Sequence, residues 1–128
     1  MSAVVVDTSA WMDFLSGGAL PTLEDALTHG AVVVPPIVVA ELLSGTRRPA
    51  ERKAVADLLD DLALHDAPLS HWIRVGDLRR DLRSRGLTVS TPDAHVAQCA
   101  LDVRGILLTR DAVFSRIAAL TPLRVATG

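Results

Sequence analysis

Short runs of apolar, mostly β-branched residues recur along the chain, and segments with helical periodicity separate them. Such runs predict buried strands, because strands covered on both faces carry no polar alternation. Five short strands are predicted in this way: Ala3–Val6, Ala31–Val34, Ala63–His65, Ile106–Leu108 and Leu123–Ala126. Strands that alternate with helices indicate an α/β domain with a mainly parallel sheet of four to five strands, covered on both faces.

The segments between these runs predict about seven helices with clear start and stop signals. Prolines open several of them, and glycines follow their ends. The predicted helices run from Thr8 to Leu15, Pro21–Thr28, Pro36–Ser44, Pro49–Leu62, Pro68–Arg85, Thr91–Leu101 and Asp111–Ala119. Thr91 is the expected N-cap of the sixth helix, with Pro92 in its first turn.

Length and composition fit one domain over residues 1–128. The chain has 128 residues and 49% hydrophobic residues, enough for a core and too many for a disordered protein. The start at Met1 lacks the basic region of a signal peptide, and no apolar run is long enough for a membrane span. We therefore expect a cytoplasmic protein without a membrane partner. A single cysteine, Cys99, excludes an internal disulfide framework and predicts that no cysteine-based zinc site is present.

The net charge of −2 argues against nucleic-acid binding through bulk charge alone. The basic residues are nevertheless clustered. One cluster comprises Arg47, Arg48, Arg52 and Lys53, and a second, from Arg74 to Arg85, holds five arginines and two aspartates. Solvated helix faces are the ordinary interpretation of such clusters, and contact with phosphate is the alternative.

Four carboxylates fall where strands end or helices begin. Asp7 follows the first strand directly, Asp111 follows the fourth by three residues, and Asp93 opens the sixth helix on its core-facing side. Glu41 lies in a helix that is apolar nearly all round, so we expect it to be buried. Because open parallel sheets bind ligands at the carboxyl ends of their strands, these acids are expected to converge there.

Each acid taken singly has a simpler explanation as a helix cap or a first-turn residue. Four together would repel one another strongly, and a divalent cation would remove that penalty. Oxygen ligands without a histidine or cysteine cluster select a hard ion, Mg²⁺ or Mn²⁺. The pattern thus predicts metal-assisted hydrolysis of a phosphoryl compound.

Four segments in order resemble the motifs of PIN-domain ribonucleases. They are Val4–Trp11 with Asp7, Val39–Leu42 with Glu41, Pro92–Ala94 with Asp93, and Leu108–Phe114 with Asp111. The motifs span positions 4 to 114, and the short chain is most similar to VapC-type toxins of type II toxin–antitoxin pairs.

The resemblance implies a sheet ordered 3-2-1-4-5 and an endoribonuclease dependent on Mg²⁺ or Mn²⁺ that inhibits translation and growth. Asp7 and Asp93 would be direct metal ligands, and Glu41 and Asp111 would act directly or through water. Thr8, Ser9 and Thr109 would supply supporting hydroxyls. The family also implies a homodimer and a small antitoxin whose tail covers the site of a toxin–antitoxin hetero-oligomer.

Two other functions compete with the nuclease. A receiver-like signalling domain would need a lysine near the end of a core strand, and the only lysine, Lys53, lies in an amphipathic helix. A catalytically weak PIN-fold module that binds RNA or protein stays open.

The remaining aromatic, histidine and cysteine residues are expected to be structural. Trp11 and Phe14 belong to the core stripe of the first helix, and Trp72 is a core or dimer residue. Arg110 is expected at the surface, and Cys99 as a buried thiol. The four histidines lack metal-site spacing: His29, His65, His71 and His95.

Overall fold

All five apolar runs form strands, each at most one residue shorter than its run. The computed structural model describes residues 1–128. The strands are β1 (Val4–Val6), β2 (Val32–Val34), β3 (Ala63–Leu64), β4 (Ile106–Leu108) and β5 (Arg124–Ala126). All neighbouring pairs are parallel, in the order β3-β2-β1-β4-β5. The expected 3-2-1-4-5 order is therefore confirmed.

Seven helices connect the strands, as expected. They are α1 (Thr8–Leu15), α2 (Pro21–Thr28), α3 (Pro36–Ser44), α4 (Pro49–Asp60), α5 (Leu69–Ser84), α6 (Thr91–Asp102) and α7 (Val113–Ala118). The N-cap of α6 is Ser90 rather than Thr91, because the Ser90 hydroxyl accepts the Asp93 backbone N–H at 3.2 Å. None of the seven helices combines the length and the apolarity needed to cross a bilayer.

The core lies around β1, the central strand. Its three valines are at most 1% exposed, and α2 and α6 pack on it. Trp11 is fully buried and Phe14 packs at the core margin, as expected. Trp72, in contrast, is 41% exposed and stacks on His95 with ring centroids 4.6 Å apart. It is therefore not a core residue.

The turn between α6 and β4 leaves no room for a side chain at Gly105. A Cβ atom there would overlap the Ala3 carbonyl oxygen, which accepts the Ile106 N–H at 3.0 Å. Gly76, in the exposed part of α5, has open space at the same position. Gly76 is therefore the control position for a substitution at Gly105.

We expect Gly105→Ala to lower the free energy of unfolding by about 1 to 3 kcal/mol, because the backbone must shift where β1 and β4 begin. Gly76→Ala should raise it by about 0.5 to 1 kcal/mol, since alanine favours helix. Urea unfolding followed by circular dichroism measures both. Equal effects of the two substitutions would contradict the packing described at Gly105.

Candidate active site at the carboxyl edge of the sheet

Asp7 and Thr109 lie side by side because the strands that precede them are hydrogen-bonded neighbours. Val6 of β1 stands opposite Leu108 of β4. The Asp7 backbone N–H donates to the Leu108 carbonyl at 2.9 Å. The chain therefore leaves both strands at the same edge of the sheet, which is where open parallel sheets bind ligands.

Two hydroxyls hold one oxygen of the Asp7 carboxylate. Ser9 Oγ donates to Asp7 Oδ2 at 2.8 Å, and Thr109 Oγ1 donates to the same oxygen at 3.0 Å. Asp7 is only 7% exposed, and no hydrogen bond from the protein reaches its other oxygen, Oδ1. Its side chain does not cap α1, so the interpretation of Asp7 as a simple helix cap is wrong.

The same hydroxyls also fix the loop that follows β4. Ser9 Oγ accepts the Arg110 backbone N–H at 2.9 Å, and Thr109 Oγ1 accepts the Asp111 N–H at 3.0 Å. Since each hydroxyl proton is committed to Asp7 and each oxygen accepts an N–H, both side chains are locked in orientation. The motif after β1 and the motif after β4 thus form one hydrogen-bonded unit.

Asp111 and Arg110 face outward from this unit. Asp111 is exposed, and its Oδ1 accepts the Val113 N–H at 3.0 Å, so this acid does serve the start of α7. Arg110 forms an ion pair with Asp13 at 2.8 Å. The expected surface position of Arg110 is confirmed.

Glu41 reaches the site from α3 but is exposed, which corrects the expectation that it is buried. Only Val38 and Leu42 of α3 are buried. The other apolar side chains of the helix, such as Val39 and Leu43, line open surface grooves, so an apolar sequence here did not mean a buried helix. Thr8 Oγ1 donates to Glu41 Oε1 at 2.8 Å and orients it.

Asp93 stands half-buried in the first turn of α6, on the core-facing side as expected. Burial is the largest cause that raises the pKa of Asp93 above its ordinary value, and a hydrogen bond with Ser90 opposes the shift. The negative charges of Asp111, Asp7 and Glu41 raise the pKa further. The structure therefore places Asp93 within electrostatic reach of the other three predicted acids.

No arginine, lysine or histidine neutralises this cluster. None of the four acids takes part in an ion pair within 4.0 Å. No three of the carboxylates bring their oxygens within 4.8 Å of one another, so the acids do not form a closed set of ligands. Uncompensated acids, one of which (Asp7) keeps a carboxylate oxygen free of hydrogen bonds, fit a hard divalent cation, since all nearby donors are oxygens.

An apolar groove of about 330 Å³ begins at Glu41 and runs between α1, α3 and α4. Met12 and Leu15 on its wall are 58% and 44% exposed, an unusual position for large apolar side chains. Leu42 and Val55 lie at its base, and Glu51 adds a second acid to its rim. The groove is therefore suited to an apolar segment with a basic residue at one end.

One protein family model matches almost the whole chain. The PIN domain matches residues 4–120. The chain belongs to the PIN domain family. An uncharacterized PIN and TRAM-domain containing protein of Synechocystis is 31% identical over 123 residues. These cover 94% of this chain but only 32% of that protein, so the chain spans about a third of this relative.

Solved structures with this PIN fold include several toxin–antitoxin complexes. A chain of VapBC2 from Rickettsia felis, bound to a DNA fragment from its promoter, superposes with a TM-score of 0.78 at 20% identity, covering 97% of both chains. A chain of DNA-bound VapBC from Salmonella typhimurium gives 0.76 at 20% identity over 98% of both. VapBC-1 from Haemophilus influenzae gives 0.77 at 17% identity, covering 97% of this chain and 96% of the other.

A second cluster of polar side chains, which the sequence did not reveal, lies between α5 and α6. It joins His65, His71, His95 and Cys99 around Asp102. The expectation that the histidines lack metal-site spacing holds along the chain and fails in space. The sequence feature that could have revealed this cluster is the spacing of His95 and Cys99, which lie four residues apart on one face of α6.

We expect Asp93→Asn to raise the free energy of unfolding in the absence of divalent cations, by on the order of 1 kcal/mol, because one of four mutually repelling charges is removed. Asp25→Asn is the matched control, since Asp25 is exposed on α2 and lies in no ion pair. Thermal unfolding in EDTA measures both. A loss of stability in Asp93→Asn alone would contradict the repulsion.

Proposed function

We propose that this chain is a Mg²⁺- or Mn²⁺-dependent endoribonuclease that acts as the toxin of a toxin–antitoxin pair. PIN-family membership and the fold shared with VapBC chains support a nuclease. The observation that carries the proposal is the state of Asp7: a buried carboxylate with one oxygen free of hydrogen bonds and no counter-ion, close to Asp93, whose pKa is raised by Asp7, Glu41 and Asp111 as well as by burial.

Asp7 and Asp93 would hold the cation, with Glu41 and Asp111 as direct or water-mediated partners. The bound cation would supply Lewis-acid activation of water and of the scissile phosphate. Ser9 and Thr109 would keep Asp7 Oδ2 occupied, so that Oδ1 is the oxygen left for binding. Thr8 does the same for one oxygen of Glu41.

The serine near the site is a positioning residue rather than a nucleophile. Ser9 Oγ donates its proton to Asp7 and accepts the Arg110 N–H. No histidine bonds to it to take up that proton, so the arrangement that activates serine is absent. Hydrolysis by activated water is therefore the reaction that we propose.

The basic cluster beside α3 is the better candidate for contact with the RNA backbone. Arg47, Arg48 and Arg52 are exposed and lie in no ion pair. In the second cluster, Arg74 bonds to Asp102, and Arg79 donates to the Val89 carbonyl. That cluster therefore serves partly to hold the fold together.

We expect Asp7→Asn and Asp93→Asn to reduce cleavage of RNA by on the order of 100-fold or more at saturating Mn²⁺, because each removes a charge needed to bind the cation. Asp25→Asn should retain full activity. Cleavage of total RNA, followed on gels with Mg²⁺, with Mn²⁺ and with EDTA, provides the measurement.

Cleavage that ignores both substitutions would contradict the assignment. RNA binding without cleavage, unchanged by divalent ions, would favour the alternative of a catalytically weak RNA- or protein-binding module. The two results are distinguished by measuring binding and turnover on the same RNA.

The groove beside Glu41 is the proposed seat of an antitoxin segment. VapBC structures share this fold and are complexes of two proteins. An apolar segment laid on Met12 and Leu15 would bury side chains that are exposed now, and a basic residue at its end would meet Glu41 and Glu51. Such a segment would block access to the acids.

A separate apolar patch supports the proposed homodimer. Trp72 and Ile73 are 41% and 55% exposed on α5, one turn after the exposed Leu69 at its start. Exposed apolar patches of this kind are typical of protein interfaces. The patch involves none of the residues that line the groove, so the two contacts can form together.

We expect Met12→Asp to weaken binding of the antitoxin at least about tenfold and to leave the dimer intact, since it places a charge in the groove. Ile73→Asp should weaken the dimer and leave antitoxin binding unchanged. The partner to use is the product of any short reading frame that overlaps or adjoins the gene for this chain, and light scattering and calorimetry measure both properties. Equal effects of the two substitutions on antitoxin binding would contradict the separate surfaces.

A further inference from the structure

Asp102, at the end of α6, organises a buried cluster that the nuclease does not use. Its Oδ2 accepts from His71 Nδ1 at 2.6 Å and lies 3.3 Å from His65 Nε2. Arg74 binds both oxygens, at 2.9 and 3.1 Å, and Gln98 donates to Oδ1 at 2.8 Å. The imidazoles of His65 and His71 are thus each held through one ring nitrogen.

Three side chains of the cluster come close to one another. One ring nitrogen of His65, one of His71 and the sulfur of Cys99 all lie within 4.8 Å of each other. His71 and Cys99 are fully buried, and the His65 side chain is 9% exposed. No other group of three or more histidine, cysteine, aspartate or glutamate side chains meets this distance.

The donors are of the type that zinc prefers. Two imidazoles and a thiolate suit a borderline-soft cation, whereas carboxylates suit Mg²⁺. Tetrahedral zinc places its ligand atoms about 3.3 to 3.6 Å apart, so small side-chain rotations would complete the site. The Asp102 carboxylate behind His71 matches the support that metal-binding histidines commonly receive.

We propose that His65, His71 and Cys99 form a second cation site, which binds one zinc-like ion independently of the acidic site. His95 lies beside this site and is hydrogen-bonded to His71. Its Nδ1 lies 2.8 Å from His71 Nε2 and 3.9 Å from Cys99 Sγ. On binding, the Cys99 S–H bond breaks, the sulfur bonds to the cation, and the proton leaves to solvent.

Trp72 packs against this site. Its indole stacks on His95 at an interplanar angle of 10° and meets the edge of His71, and 41% of its surface is exposed. The ion would tie the segment that follows β3 to α5 and α6.

Co²⁺ is the probe, because its thiolate complexes absorb light in regions where its carboxylate complexes do not. The background is the full chain with Asp7→Asn and Asp93→Asn, which removes the acidic site. We expect one equivalent of Co²⁺ to bind with a sulfur charge-transfer band, to release one proton, to be displaced by Zn²⁺, and to resist a large excess of Mg²⁺.

In the same background, Cys99→Ala and His65→Gln should weaken binding by about 100-fold or more, the upper end of the range for changes in supporting residues. His29→Gln is the matched control, because His29 is exposed and contacts only a backbone carbonyl of its own helix. Circular dichroism verifies folding, and His65→Gln, at the rim, decides the matter if Cys99→Ala does not fold.

Absence of Co²⁺ binding in the double variant would overturn the proposal and leave the cluster as a hydrogen-bond network alone. Equal binding by His65→Gln and His29→Gln would also overturn it, since the ion would then be held elsewhere. Neither result bears on the nuclease, whose test depends on Asp7 and Asp93 in the otherwise unchanged chain.

Discussion

Mutual repulsion among four carboxylates is the constraint around which this edge of the protein is built. Two parallel strands end side by side and bring Asp7 next to the loop that carries Asp111. α3 and α6 add Glu41 and Asp93. Because no basic side chain neutralises them, the fold carries an electrostatic cost that packing elsewhere must offset, as is typical of functional sites.

Hydrogen bonds from hydroxyl side chains offset only part of this electrostatic repulsion. Ser9 and Thr109 satisfy one oxygen of Asp7, and the cluster stays negative and open on its other side. A cation and a phosphate would complete it, with the cation neutralising the acids and the phosphate neutralising the cation. In α3, likewise, Val38 and Leu42 are buried in the core, whereas Val39 and Leu43 are only partly covered and line an open groove.

The sequence predicted the strands and the helices well, because short β-branched runs and proline-opened helices are local signals. The sequence did not show whether Glu41 is buried, since its exposure depends on how much of α3 packs against other elements. The cluster around Asp102 was equally hidden, because His65 follows β3, His71 lies in α5 and Cys99 lies in α6, and only the packing of the chain brings them together. The N-cap of α6 was also placed one residue too late, because Ser90 and not Thr91 accepts the Asp93 N–H.

Diffraction from crystals soaked in Mn²⁺, recorded at a wavelength where manganese scatters anomalously, is the most direct test of a cation site at the acidic edge. The account predicts an anomalous peak within bonding distance of Asp7 and Asp93, with Glu41 and Asp111 drawn toward it. Full soaking that leaves this edge without a peak, while the four carboxylates keep their present separation, would contradict it.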